Sequence, residues 1–136
     1  MMMNHKNSSK TEQKILIVED ELLAARLLHK IITQSGYHCV GIAKNANDAI
    51  ELARTHNPQI ILMDILLQGN INGIEAAHKI REFSNSPIIY ITSYSDSETR
   101  KKAQEVQNSI YITKPFSQDF LLKKLSEIFD KLVDED

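Results

Sequence analysis

The stretch KILIVEDE, residues 14–21, decides the fold. Its four consecutive apolar residues at 15–18 show no polar alternation, which marks a strand covered on both faces, as in a parallel sheet. Acidic residues follow at once. Then comes a helical run in which Ala24, Leu27, Leu28 and Ile31 keep the i, i+3, i+4, i+7 spacing, with Gly36 as its stop. The same alternation repeats outward. YHCVGIA (37–43) reads as a second strand, and Ala46, Ala49, Ile50 and Ala53 as a second helix that Asn57-Pro58 breaks. IILM (60–63) is a third buried strand, with helical spacing after it at Gly73, Ile74, Ala77 and Ile80. PIIYIT (87–92) and IYI (110–112) are the fourth and fifth strands. The segment 95–107 between them has helical propensity but little apolar content besides Ala103 and Val106, so it should be the least firmly packed helix. Leu121, Leu125, Ile128 and Leu132 mark the last helix.

Five βα units predict an α/β fold of the (βα)5 type. A doubly wound, five-stranded parallel sheet carries helices on both faces, because each crossover is right-handed and must cover the sheet. In such sheets ligands sit beyond the carboxyl ends of the strands.

With 136 residues the chain suits one domain. We expect a polar tail at 1–13, the domain at 14–133 and an acidic end at 134–136. The formal charge of −2 speaks against a general electrostatic nucleic-acid binder, so no direct DNA binding is expected. The lone cysteine, Cys39, excludes an internal disulfide and fits a reducing compartment. No apolar run approaches the ~20 residues of a membrane span, and the start lacks a signal-peptide core. These features predict a cytoplasmic protein without membrane contact.

The strand ends carry the chemistry. The first ends in Glu19-Asp20-Glu21, the third in Asp64, the fourth in Thr92-Ser93, and the fifth runs into Thr113-Lys114-Pro115. Clustered carboxylates repel one another, and a hard divalent cation relieves the repulsion. Mg2+ prefers oxygen ligands and is held by one or two carboxylates plus phosphate and water. These ends offer no thiolate or imidazole set for zinc. The assembly suits phosphoryl transfer, in which catalysis is mostly positioning and charge neutralisation. Lys114 supplies a fixed positive charge, Thr92 a hydroxyl donor, and Asp64 a carboxylate nucleophile. No GxxxxGK[ST] or GxGxxG loop is present, so a nucleotide is not the obvious phosphate source.

ILIVEDE, ILMDI, IIYITS and YITKPF, in this order and spacing, resemble the receiver domain of two-component response regulators. The likeness covers residues 14–131. It implies the flavodoxin-like strand order 2-1-3-4-5, for which a chemotaxis receiver is a standing example. It also implies that Asp64 is the phosphoacceptor and that Asp20 is a direct Mg2+ ligand, with Glu19 acting through a metal-bound water. By the same likeness the Leu66 backbone carbonyl completes the protein ligands. Thr92 is then the switch hydroxyl, Tyr111 the switch aromatic and Lys114 the phosphate-binding lysine, with a cis Lys114-Pro115 peptide. The implied donor is a sensor histidine kinase or histidine phosphotransfer protein. The chain would promote its own phosphorylation and dephosphorylation without being an enzyme in the usual sense. The signal would pass by protein contact to a downstream partner through the face of the fourth helix, fifth strand and last helix. Two features depart from the commonest pattern: Gln68 replaces a proline, and the loop before Gly73 is one residue longer.

Other assignments give weaker patterns. A phosphohydrolase with an aspartyl intermediate wants a second acid where Leu66 stands. A flavodoxin wants a Ser/Thr/Gly-rich loop where Glu19-Asp20-Glu21 stands, and a degenerate scaffold would lack part of the site set. Asp20 or a neighbour is a candidate helix N-cap as well as a ligand. His5, His29, His38, His56 and His78 show no metal spacing and read as surface or packing residues. Cys39 reads as a small buried hydrophobe. Leu66 and Tyr94 should flank a phosphoryl group and hinder water.

Overall fold

A computed structural model describes residues 13–68 and 70–134. The main sheet has five strands: β1 (Lys14–Val18), β2 (His38–Ala43), β3 (Ile60–Met63), β4 (Ile88–Thr92) and β5 (Ser109–Thr113). All neighbouring pairs are parallel, in the order β2-β1-β3-β4-β5. Five helices alternate with them: α1 (Leu22–Gln34), α2 (Ala46–His56), α3 (Gly73–Arg81), α4 (Ser97–Gln104) and α5 (Gln118–Asp134). The doubly wound parallel sheet read from the sequence is therefore the observed architecture, with the same strand order.

Strand alternation divides the core in two. Leu16, Val18, Ile61, Met63, Ile88 and Tyr90 point to one face, against Ala49, Ala77, Ile80 and Ala103 of α2, α3 and α4. Ile15, Ile17, Ile60, Leu62, Ile89 and Ile91 point to the other, against Leu28, Ile31, Leu121, Leu125 and Phe129 of α1 and α5. The apolar runs are thus continuous because both faces are covered. A stacked Tyr37–Phe129 pair, 5.2 Å between centroids, ties the start of β2 to α5.

Helix ends follow local chemistry. Asn45 caps α2 by accepting from the Asp48 N–H, and left-handed Asn57 (φ 49°) ends it before Pro58. Gly36 takes φ 93° after α1, a conformation that costs glycine little. At the amino-terminal end of the sheet, Arg81 donates to the carbonyls of Ser84, Ser86, Gln107 and Asn108, which joins the end of α3 to the strand entry that follows α4.

Several local expectations are corrected. The buried stripe of α1 is Ala25, Leu28, Ile31 and Ile32; Leu27 is exposed and Ala24 half-buried. Apolar residues at 22–25, 27, 28, 31 and 32 surround much of this helix, so i, i+3, i+4 spacing alone could not choose its face. The helix expected over 95–107 spans only Ser97–Gln104, and Val106 is buried just beyond it. Between β3 and α3 the chain forms an unforeseen two-residue antiparallel ladder, Leu66–Leu67 with Asn70–Ile71. Cys39 is half-buried rather than buried, with its thiol 3.4 Å from the Gly41 carbonyl. Of Asp20 and its neighbours, Glu21 occupies the N-cap position of α1, but its side chain makes no capping bond. The four histidines His29, His38, His56 and His78 are exposed; His5 lies outside the described residues. So do residues 1–12 of the expected tail and 135–136 of the acidic end.

Candidate functional site

Ladder hydrogen bonds place the chemical groups. The Asp64 N–H donates to the Val18 carbonyl at 2.9 Å, which puts Asp64 beside Glu19 at the ends of adjacent strands. The Lys114 N–H donates to the Thr92 carbonyl at 2.8 Å, which puts the lysine next to the threonine. The Lys114-Pro115 peptide is cis, as expected. The Lys114 ammonium then reaches across β4 and β3, 2.7 Å from Glu19 Oε1 and 3.0 Å from Asp64 Oδ2.

Burial makes this cluster electrostatically uneven. Glu19, Asp64 and Thr92 are the buried polar side chains among the described residues. Burial raises the Glu19 carboxyl above its ordinary value, against the opposing pull of the Lys114 hydrogen bond. For Lys114, burial acts to lower the pKa, but hydrogen bonds and charge from Glu19 and Asp64 outweigh it and raise the group. Glu19 also accepts from the Glu21 N–H at 3.1 Å, so its second oxygen steadies the turn into α1.

Asp20 is exposed at the same rim. Its Oδ2 accepts from the Gln68 N–H at 2.9 Å, while Asp64 Oδ1 accepts from the Leu66 N–H at 3.2 Å. Both carboxylates therefore bear on one short turn, and the Leu66 carbonyl lies within it. Gln68 adopts φ 51° in this turn. Among the described residues no three His, Cys, Asp or Glu side chains converge as a complete metal cage. Lys114 stands between Glu19 and Asp64. The donor set nevertheless fits Mg2+, which needs only one or two carboxylates beside carbonyl and water oxygens. Three carboxylates against one ammonium leave the rim negative, which favours a divalent cation.

Thr92 is fully buried, and its Oγ1 accepts from the Tyr94 N–H at 3.3 Å. The carbonyl of the same Tyr94 accepts from the Tyr111 hydroxyl. One residue's backbone thus connects the two residues expected to switch. Tyr111 is half-buried, packs against Tyr90 and carries the Arg100 guanidinium 5.0 Å over its ring. Burial is the main cause that raises its hydroxyl above the ordinary tyrosine value. Beside Lys114 opens a groove of about 610 Å3 lined by Leu23, Leu27, Ile31, Pro115 and Phe116. Leu23 is 73% exposed and Leu27 51%, so this edge of α1 is an uncovered apolar surface.

The structure brings Glu19, Asp64, Thr92 and Lys114 together, with Asp20 and Leu66 on the adjoining turn and Tyr111 one step behind Thr92. Sequence reasoning missed the Gln68 amide on Asp20 and Arg100 on Tyr111. A backbone donor has no side-chain signature, and Arg100 reads from sequence only as one member of the charged run Arg100-Lys101-Lys102.

Comparison with known proteins identifies the family and the fold. The response regulator receiver domain model matches residues 15–126. The transcriptional regulatory protein PdtaR of Mycobacterium tuberculosis is 33% identical over 105 residues, which are 77% of this chain and 51% of that protein. The response regulator ArlR of Staphylococcus aureus is 34% identical over 123 residues, 90% of this chain and 55% of that protein. The chain thus spans about half the length of the curated relatives it matches. Among solved structures, the receiver domain of a modulated diguanylate cyclase from Desulfovibrio desulfuricans G20 superposes with a TM-score of 0.81. It is 36% identical, and the match covers 90% of this chain and 98% of that one. A CheY-like receiver domain protein from Methanospirillum hungatei JF-1 gives 0.84 at 25% identity, over 91% and 98% of the two chains.

Proposed function

The chain belongs to the response regulator receiver family, and from that premise we propose that Asp64 accepts a phosphoryl group from a phosphohistidine and relays the change to the α4-β5-α5 face. Receiver domains are in general signalling domains rather than enzymes, they interact with histidine kinases, and the family is generally Mg2+-dependent. The observation that carries the finer reading is the Lys114 ammonium, poised 3.0 Å from a carboxylate that is buried yet lies at the open end of the sheet.

In the transfer, the P–N bond of the phosphohistidine breaks as an Asp64 oxygen forms the new O–P bond, and the electron pair returns to the imidazole nitrogen. The loose transition state spreads charge over three oxygens. Lys114 sits where it can neutralise one of them. The Thr92 hydroxyl accepts from Tyr94 and keeps its own proton free to donate to another. Asp20, Asp64 and the Leu66 carbonyl are the residues that would hold Mg2+, with Glu19 acting through a water. When bound, the ion supplies charge neutralisation on the phosphoryl oxygens.

The new acyl phosphate adds up to about two negative charges and strong acceptors. A pull on Thr92 reaches the Tyr94 peptide and so the hydroxyl of Tyr111. Tyr111 lies on β5 against α4, the helix with a single buried residue, Ala103. This is a population shift of an already formed element. The uncovered leucines of α1 border the approach to Lys114, and a sensor kinase or phosphotransfer protein would cover them to bring its histidine to Asp64. The downstream partner would bind the α4-β5-α5 face.

Incubation with Mg2+ and acetyl phosphate tests the proposal. Stoichiometric, acid-stable and base-labile phosphate that disappears in Asp64→Asn is the expected result. Label retained in that variant, or repeated turnover of phosphomonoesters, overturns it.

A further inference from the structure

We infer that Gly73, the first residue of α3, is a positioning residue for the phosphoacceptor loop, because the helix start is seated directly on the backbone of Asp64 and Ile65. The inference rests on the site reading above and names what holds that site in place. A Cβ built on Gly73 would lie 2.2 Å from the Asp64 carbonyl oxygen and 2.8 Å from the Ile65 Cα. Both obstacles are main chain, so no flexible side chain can yield. Gly73 has no positive φ, and its need is one of space rather than of backbone freedom.

The contact is also bonded. The Gly73 N–H donates to the Ile65 carbonyl at 2.9 Å, so one of the free donors of the helix start closes the loop on itself. Between the two ends of this closure lie the Leu66 amide on Asp64 Oδ1, the Leu66 carbonyl and the Gln68 amide on Asp20 Oδ2. Moving the Asp64–Ile65 backbone to admit a methyl group must therefore move the carboxylate, the carbonyl and the Asp20 contact together. The required shift approaches an ångström, and misplacement by ~1 Å can cost a catalytic arrangement about 100-fold.

The test compares wild type, Gly73→Ala and Ile80→Val. Ile80 is buried lower on α3, away from the site, and serves to lower the melting temperature without touching the loop. Calorimetric titration with Mg2+ and 19F NMR with beryllofluoride read the site directly. In Gly73→Ala we expect Mg2+ affinity to fall at least tenfold and beryllofluoride binding about 100-fold, with displaced amide signals for 64–68. Ile80→Val should stay within twofold of wild type. Affinities within twofold in Gly73→Ala, or equal losses in both variants, overturn the inference. Should Gly73→Ala not fold, hydrogen exchange of the Gly73 amide in the wild type decides: Mg2+ with beryllofluoride should slow it, and unchanged exchange overturns the inference. A wild type that binds neither probe defeats the underlying site assignment instead.

Discussion

Tyr90 is the largest fully buried side chain, and its hydroxyl finds no hydrogen-bond partner among the described residues. A buried hydroxyl left unpaired costs ~1–3 kcal/mol, so Tyr90→Phe should stabilise the fold by about 1 kcal/mol in urea denaturation. Burial raises its pKa above the ordinary tyrosine value, against a lowering pull from Arg81. A group with a higher pKa in the folded state contributes stability fully below its unfolded pKa, about 10 here, and loses it as pH climbs toward the folded value. Stability should therefore decline above pH ~10, and less steeply in Tyr90→Phe. Tyr37 and Tyr111, also raised mainly by burial, leave a residual slope. Leu66 and Tyr94 offer a second residue-scale test. Leu66 is exposed at the site and Tyr94 half-buried, and neither offers a carboxylate to orient water. Replacing both with small polar residues should speed loss of phosphate from Asp64 on the order of tenfold, or ~1.4 kcal/mol off the barrier. An unchanged half-life removes their shielding role.

Among the helices, α4 buries the fewest residues. Ala103 is its one buried residue, and Arg100 lies over the Tyr111 ring in the switch region. An exposed cation–π contact is worth ~0.5–1 kcal/mol, so Arg100→Ala should speed amide exchange in α4 by roughly two- to fivefold and leave β3 unchanged. The thin packing of α4 was legible in its sequence, because a helix with a single apolar residue cannot bury a whole face. The strands were legible for the opposite reason: ILIV, IILM and PIIYIT allow no solvent face, so β1, β3 and β4 fall within a residue of their expected limits. The face of α1 was not legible, since eight apolar residues within 22–32 leave its rotation to be settled by packing. The ladder at 66–71 escaped because each of its strands has only two residues, too few for any period. Asp20, Asp64, Thr92 and Lys114 could be found because a parallel sheet gathers its strand ends. The backbone amides that hold them have no letter of their own.

At the scale of the whole molecule, the site is built from the ends of four strands and so exists only in the folded chain. A ligand that binds there and not to the unfolded state must stabilise the fold by mass action. Mg2+ with beryllofluoride at ~100 times its dissociation constant should add about 2.7 kcal/mol, visible as a higher melting temperature. The gain should vanish in Asp64→Asn and survive substitution of Leu23 or Leu27, which border the groove but supply none of the polar groups of the site. Equal gains in wild type and Asp64→Asn would place the ligand elsewhere.

The clasp of Arg81 on four carbonyls gives the fold a fixed floor. It fastens the chain just after α4, while the other end of that helix hangs from the turn behind Thr92. With Gln107 and Asn108 held in this way, any displacement of α4 is expected to be smaller at its Gln104 end than at its Ser97 end. Under the relay proposed above, a small pull on Thr92 would then be felt at the outer surface as a tilt of α4 rather than a translation.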